Sequence, residues 1–281
     1  MSILLLILIF FTVDIYGIWE SKQIYLQAET ARYAPYKPSK IDRNQSFDQF
    51  RTLNPEVIGW ITIFDTNIDY PVVQGKDNRK YINTNPQGKY SLAGAIFLDA
   101  RCRKDLSDFN SIIYGHHMEK QVMFGELGLF IDEQYFEAHR HGMLYCDDNE
   151  YGLDICLVLV CDAYDTSIFT TNLTDTVAKE VYINDLLGKA KTKGYDCFSS
   201  DDHIVLMVTC ASGLTNQRTV VVARVTDELH LPEDIWRELP VWQELSYIVE
   251  LGVILLFSLL LCLVIWCITS AKRRERDNHA N

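Results

Sequence analysis

Three residues spread along the chain have side chains that could together perform acyl transfer: the thiol of Cys210, the imidazole of His116 and the guanidinium of Arg218. Cys210 ends the apolar run Val205-Leu206-Met207-Val208-Thr209. A polar loop with Gly213 and Asn216 then leads to Arg218, which opens Thr219-Val220-Val221-Val222. His116 ends a second apolar run, Ser111-Ile112-Ile113-Tyr114-Gly115. A free thiol with a pKa of about 8.5 is mostly protonated at neutral pH, and a nearby cation favours the nucleophilic thiolate. An imidazole can supply that charge and can also protonate a departing amine. Arginine stays protonated, so its use is as a donor to a developing oxyanion rather than as a base. A lone cysteine is by default a buried, inert one. About 90 residues separate His116 from Cys210, so only a fold can bring the pair together.

The elements that must do so are mostly strands. Five apolar or β-branched residues run into Cys210, the pattern of a strand covered on both faces. Similar runs at 57–64, 68–73, 93–98, 110–115, 142–146, 153–161, 203–209 and 218–226 predict eight strands. A turn at Asp65-Thr66-Asn67 makes the first two a hairpin that holds Trp60. Between the sixth and seventh strands, 174–191 has apolar residues at helical spacing and Asp175 near its start, which predicts one substantial helix. Shorter helical pieces are expected at 46–50 (capped by Asn44 or Ser46), 77–83, 124–127, 132–139 and 232–239. Many short, closely spaced strands argue for a mainly β barrel or sandwich rather than a parallel sheet.

The chain has 281 residues and a net charge of −12, which argues against a nucleic-acid partner. Both ends are apolar. Residues 1–19 read as an N-terminal membrane anchor, although Asp14 interrupts the run. Residues 20–56 follow as a linker with N-terminal helices, and 57–230 as the catalytic domain. A juxtamembrane segment, 231–250, leads to 251–269, an uncharged stretch long enough to span a bilayer. The basic tail 270–281 contains Lys272-Arg273-Arg274, so the C-terminus is expected in the cytoplasm and the body outside. Of eight cysteines, six lie in the body, none in a C-x-x-C spacing, and most read as buried free thiols.

Tyr114-Gly115-His116-His117-Met118, the strand ending in Thr209-Cys210, and Arg218 at the start of the next strand resemble the sortases, membrane-anchored cysteine transpeptidases of Gram-positive bacteria. Class B is the branch it resembles, through the helix at 174–191, Asp69-Tyr70-Pro71-Val72-Val73-Gln74, the stretch 78–83 and Met123-Phe124-Gly125-Glu126-Leu127. The resemblance implies an eight-stranded sortase barrel with a helix inserted between strands 6 and 7, flanked by N-terminal helices and membrane spans. It implies that His116, Cys210 and Arg218 are catalytic. It places Asn78, Ile82, Tyr114 and Thr209 near the sorting-peptide groove, with Tyr81 in the same pattern; packing around the site is the competing account of these positions. Two departures stand out. Class B members commonly carry Ser two residues before the cysteine, where this chain has Val208, and a C-terminal span is more typical of pilus-building sortases.

The implied reaction is cleavage of a C-terminal sorting motif through a thioacyl enzyme, then transfer to an amine of a peptidoglycan precursor. The alternatives are a pilin lysine as acceptor, or water, which would make the protein a cysteine endopeptidase. A membrane-tethered binding module would keep the barrel without needing the thiol. The chemistry requires no metal or cofactor. Partners would be surface proteins or pilins that bear a sorting signal. His117 competes with His116, but neighbours on a strand face opposite ways, so only one can serve. His139 and His141 have the i, i+2 spacing of some metal sites, but no third ligand is evident in the sequence. Asn85-Pro86-Gln87-Gly88 resembles a sorting signal and reads as a turn.

Overall fold

Two apolar layers, one on each side of a single sheet, account for the chain's unbroken apolar runs. The computed structural model describes residues 2–38, 44–146, 148–194, 198–210 and 216–231. The nine strands among the described residues are β1 (Val57–Ile63), β2 (Asp69–Val73), β3 (Ile96–Leu98), β4 (Asn110–Gly115), β5 (His141–Cys146), β6 (Asn149–Asp162), β7 (Ala190–Lys193), β8 (His203–Cys210) and β9 (Gln217–Thr226). They run in the order β5-β1-β2-β3-β4-β8-β9-β6-β7, and β6 also pairs with β5, so every strand except β7 belongs to a closed barrel.

Side-chain alternation along each strand decides which residues fill the barrel. Ile113, Val205, Met207, Val221 and Ala223 belong to the inner core with Trp60 and Phe124. Their neighbours Ile112, Ile204, Leu206, Val220 and Val222 belong to a second, outer core. Helix α4 (Thr176–Lys189) covers that outer face with Tyr182, Ile183 and Leu186, helped by Phe109 and Ile168. Each large apolar side chain buried in this way contributes about 1.5–3 kcal/mol. Asp175 starts α4 by accepting a hydrogen bond from the Ala178 N–H at 2.9 Å. The β1–β2 hairpin forms as expected. The Trp60 indole and Thr62 hydroxyl both donate to Asp69 Oδ1 at 2.7 Å, which pins the two strands together.

Three expectations change. The helix begins at Thr176 rather than 174, and it runs directly into a ninth strand, β7, paired with Leu157, Val158 and Leu159 of β6. The sequence Ala190-Lys191-Thr192-Lys193 carries no apolar alternation, because an edge strand outside the ring has little to bury and lysines suit it. The short helix α2 (Gln45–Leu53) has Asn44 at its cap position, but in a left-handed conformation and with no side-chain capping bond. Finally, α1 (Ser2–Ala28) runs through the boundary expected at residue 19. No helix among the described residues is long and apolar enough to cross a membrane, so the anchor expected over 1–19 finds no support. The helix expected at 232–239, the span at 251–269 and the tail at 270–281 lie outside the described residues.

Candidate active site

Strand register alone brings the three chemical residues together. β4 and β8 are parallel, with Tyr114 opposite Val208 and Gly115 opposite Thr209. β8 and β9 are antiparallel, with Val208 opposite Val220 and Cys210 opposite Arg218. Ile112, Val208, Val220 and Val222 belong to the outer core. Counting in twos from these residues puts the positions of His116, Cys210 and Arg218 on the same outer face of three adjacent strands. Directly opposed residues in an antiparallel pair have Cα atoms roughly 4.5–5.5 Å apart, which brings the Cys210 and Arg218 positions within one side chain's reach. His117 falls on the opposite alternation and pairs with Met123 instead. His116, not His117, therefore shares a face with Cys210 and Arg218.

A cavity of about 400 Å³ opens on this face, lined by His116 and Arg218 together with Asn78, Ile82, Phe97, Arg101, Tyr114, Ala163, Phe169 and Val208. Asn78, Ile82 and Tyr114 thus share one cavity with His116 and Arg218. Thr209 does not line the cavity: it is 1% exposed, between Gly115 and Thr219. The alternation that turns Val208 outward turns Thr209 away from the cavity expected to hold substrate. Tyr81 is also a packing residue, fully buried, with its hydroxyl donating to Glu56 and accepting from the Asn54 amide. Val208, standing where the resembled class commonly has serine, makes this part of the cavity wall apolar.

Two glycines let His116 reach its place. A Cβ on Gly115 would lie 2.5 Å from Ile96 Cδ1 and 2.6 Å from Phe124 Cδ2, so no larger residue fits between β4 and the inner core. Gly94 has φ +62°, and its Cβ would come within 2.6 Å of the Tyr81 and Ile82 carbonyl oxygens and 3.1 Å of His116 Cδ2. The Ile82 carbonyl lies 2.8 Å from His116 Nε2. A carbonyl can only accept, so Nε2 carries the proton in this arrangement. Gly94→Ala is expected to destabilise the fold by about 1–3 kcal/mol from backbone strain. It should also lower kcat/KM beyond that cost, because the Ile82 carbonyl and the His116 ring must shift; thermal melts beside steady-state assays check both.

Against the cavity lies a polar cluster built by the residues that follow β3. Asp99 is 0% exposed. Its carboxylate accepts from Arg101 Nε at 2.9 Å, Arg101 Nη2 at 2.8 Å, the Arg101 backbone N–H at 2.9 Å and the Tyr114 hydroxyl at 3.1 Å. The Asn78 side chain also bonds it, and Asn78 Oδ1 in turn accepts from the Ala100 N–H. Burial pushes the Asp99 pKa up, but these bonds and the Arg101 charge outweigh it and hold the carboxyl below its usual range. The same fork raises the Arg101 pKa. Arg101 Nη2 reaches on to the Phe169 carbonyl at 3.1 Å, tying the two sides of the cavity. The available signal was Asp-x-Arg immediately after an apolar strand.

Cys102, Cys146, Cys156 and Cys161 are buried. Cys161 faces Arg218 across β6 and β9, yet burial pushes its thiol up to about 11. Cys102 is pushed up to about 11 for the same reason. The turn reading of Asn85-Pro86-Gln87-Gly88 holds: Asn85 Oδ1 accepts from the Gln87 and Lys89 N–H groups, and Gly88 has φ +79°.

A closed barrel that carries cysteine, histidine and arginine positions on one face of three neighbouring strands holds the groups that acyl transfer through a thiol requires. The family model described as the sortase domain matches residues 61–226. The chain belongs to the sortase family, whose members are cysteine transpeptidases. Its relatives place it with class B. Sortase B of Listeria monocytogenes serovar 1/2a is 32% identical over 158 residues, 56% of this chain and 64% of that protein; the match spans slightly less than two thirds of the relative. The solved sortase B from the type II pilus of Streptococcus pneumoniae is 43% identical, with a TM-score of 0.57, covering 65% of this chain and 99% of that one. Clostridium perfringens sortase B is 33% identical, with a TM-score of 0.60, covering 64% of this chain and 100% of that one.

Proposed function

We propose that the protein is an extracytoplasmic transpeptidase that cleaves a C-terminal sorting motif and joins the new acyl end to an amine. The observation that carries this reading is the register pair Cys210–Arg218, with the His116 position on the same face one strand away. Cys210 as thiolate attacks the scissile carbonyl, and Arg218 donates to the oxygen as it becomes an oxyanion. His116 gives its proton to the leaving amine, and the C–N bond breaks to leave a thioacyl enzyme. An incoming amine attacks that thioester, loses a proton and displaces Cys210, which restores the enzyme. Asn78, Ile82 and Tyr114 form the cavity wall on which the motif would lie, with the Tyr114 hydroxyl held by Asp99.

A pilin lysine is the acceptor this reading favours, supported by the likeness to the sortase B from a type II pilus. An amine of a peptidoglycan precursor is the second reading, supported by the class B sequence motifs. The uncharged stretch at 251–269 and the basic residues after it support a tether that leaves the barrel outside the cell. The test is to incubate the full chain with a panel of sorting-signal peptides and either a lysine-bearing pilin segment or a wall-precursor amine, then weigh the protein and products. A thioacyl adduct at Cys210 and a peptide joined to the pilin segment are the expected results. Joining only to the wall amine would select the second acceptor. Cleavage without joining to either amine would make water the acceptor and the protein an endopeptidase.

A further inference from the structure

The sequence pairs His139 with His141 and finds no third ligand. The structure gives His141 different partners. His139 lies past the end of α3 (Glu133–Ala138), stacked on Tyr135, with its Nδ1 2.7 Å from the Tyr135 carbonyl. His141 opens β5 directly opposite Asp154 of β6. His230, four residues beyond β9, lies against the same two residues. His141 Nδ1 is 3.1 Å from Asp154 Oδ1, and His230 Nε2 is 3.9 Å from that same oxygen. The two imidazole centroids are 4.5 Å apart. One ligand atom from each of the three residues lies within 4.8 Å of the others.

We propose that His141, Asp154 and His230 form a site for a borderline divalent transition metal of the Zn²⁺ class. Two imidazoles and one carboxylate suit such ions, whereas Mg²⁺ and Ca²⁺ prefer sets made only of oxygen. Metal–nitrogen bonds of about 2.0–2.1 Å in a tetrahedron put ligand atoms roughly 3.3 Å apart. The Asp154–His141 separation of 3.1 Å is within a few tenths of an ångström of that value, and the other pairs reach it by rotating imidazoles that are 47% and 46% exposed. Asp154 itself is prepared for the role. Its Oδ2 accepts from Arg224 Nη2 at 2.9 Å, which orients the carboxylate and leaves Oδ1 turned toward both histidines. A carboxylate held from behind in this way is the outer-shell support that metal ligands characteristically have. The Glu228 carboxylate, 3.9 Å from His230 Nε2, is within reach of a fourth position.

Such a site would fasten the chain leaving the last barrel strand to the β5–β6 pair, and it would leave the transfer reaction alone. Arg224, which contacts Asp154, is six residues from Arg218 along β9, roughly 20 Å at about 3.3 Å per residue. The two sites therefore stand at opposite ends of the strand.

The test uses the full chain without an affinity tag, carrying Cys210→Ala so that the reactive thiol cannot compete for metal. Zinc is titrated calorimetrically into this protein and into versions that add His230→Ala, His141→Ala or His139→Ala. We expect one zinc per chain, bound at least about 10-fold more weakly after either ligand change and unchanged by His139→Ala. At a hundredfold excess of zinc over its dissociation constant, the melting temperature should rise by about 5 °C or more. Both exposed histidines can be replaced without opening the core, so a lost response is not a lost fold. Cobalt in place of zinc should give a spectrum without thiolate charge-transfer bands. The proposal is overturned if zinc does not bind, if binding survives both His141→Ala and His230→Ala, if cobalt shows thiolate bands that assign it to the remaining cysteines, or if Mg²⁺ gives the same stabilisation.

Discussion

Replacing Cys210 with alanine is expected to remove the thioacyl adduct and lower peptide transfer by about 10⁴–10⁶-fold, the scale seen when a covalent nucleophile is lost. The partner on β9 should show a different signature. Arg218→Ala leaves the nucleophile in place but removes a donor aimed at the oxyanion, and losing one such donor costs about 10²–10³ in kcat. Because the interaction forms with the developing charge, KM should change little. Arg218→Lys should recover only a small part, since an ammonium on a flexible stem lacks the rigid fork of the guanidinium. Cys161→Ala is the control. It removes a buried thiol pushed up to about 11, opposite the same arginine in register, and transfer should persist. Mass spectrometry of the protein after mixing with peptide, beside steady-state rates, reads all four variants. An adduct that survives Cys210→Ala, or an Arg218→Ala effect confined to KM, would overturn these assignments.

The second large effect concerns stability. Asp99→Ala is expected to cost about 3 kcal/mol, because the Tyr114 hydroxyl, the Asn78 amide and the Arg101 N–H donors lose a buried acceptor. Arg101 is 51% exposed, so water compensates part of its lost ion pair, and most of the cost falls on the neutral donors. The melting temperature should fall by about 10 °C. Transfer should weaken as well, since Asn78, Arg101 and Tyr114 all line the cavity and all take their positions from this carboxylate. The pH dependence follows from the direction of the shift. The Asp99 pKa is held down in the folded protein, so its contribution is complete above the ordinary carboxylate value of about 3.9 and is lost as pH falls through the lower folded value. Asp99→Asn should therefore flatten the acid end of the stability curve, which denaturation midpoints across that range would record. An unchanged acid limb would show that other carboxylates control it.

Much of the barrel was legible in the sequence because burial on both faces leaves an unmistakable run of apolar residues, as in β8 and β9. The Trp60 hairpin and the capped helix before β7 were legible for similar reasons: a turn between two runs, and an aspartate at the start of a helical period. β7 was not, since an edge strand with alternating lysines buries too little to leave a pattern. The Asp99–Arg101 cluster was not legible either, because composition cannot tell a solvated carboxylate from one that is fully buried.

The sequence by itself determined the chemistry available: which thiol ends a strand, which histidines end another, and which arginine opens the next. Tertiary structure decided what these residues meet. Parallel pairing of β4 with β8 and antiparallel pairing of β8 with β9 put three positions from distant parts of the chain on one face. The same register puts His116 rather than His117 on that face and buries Thr209 away from it. Closure of β5 on β6 gave His141 an aspartate and a distant histidine as partners in place of the neighbour two residues before it. The physical reason is the same each time. The period of a strand fixes which residues share a face, but only hydrogen-bonded pairing between strands far apart in sequence fixes what stands beside that face.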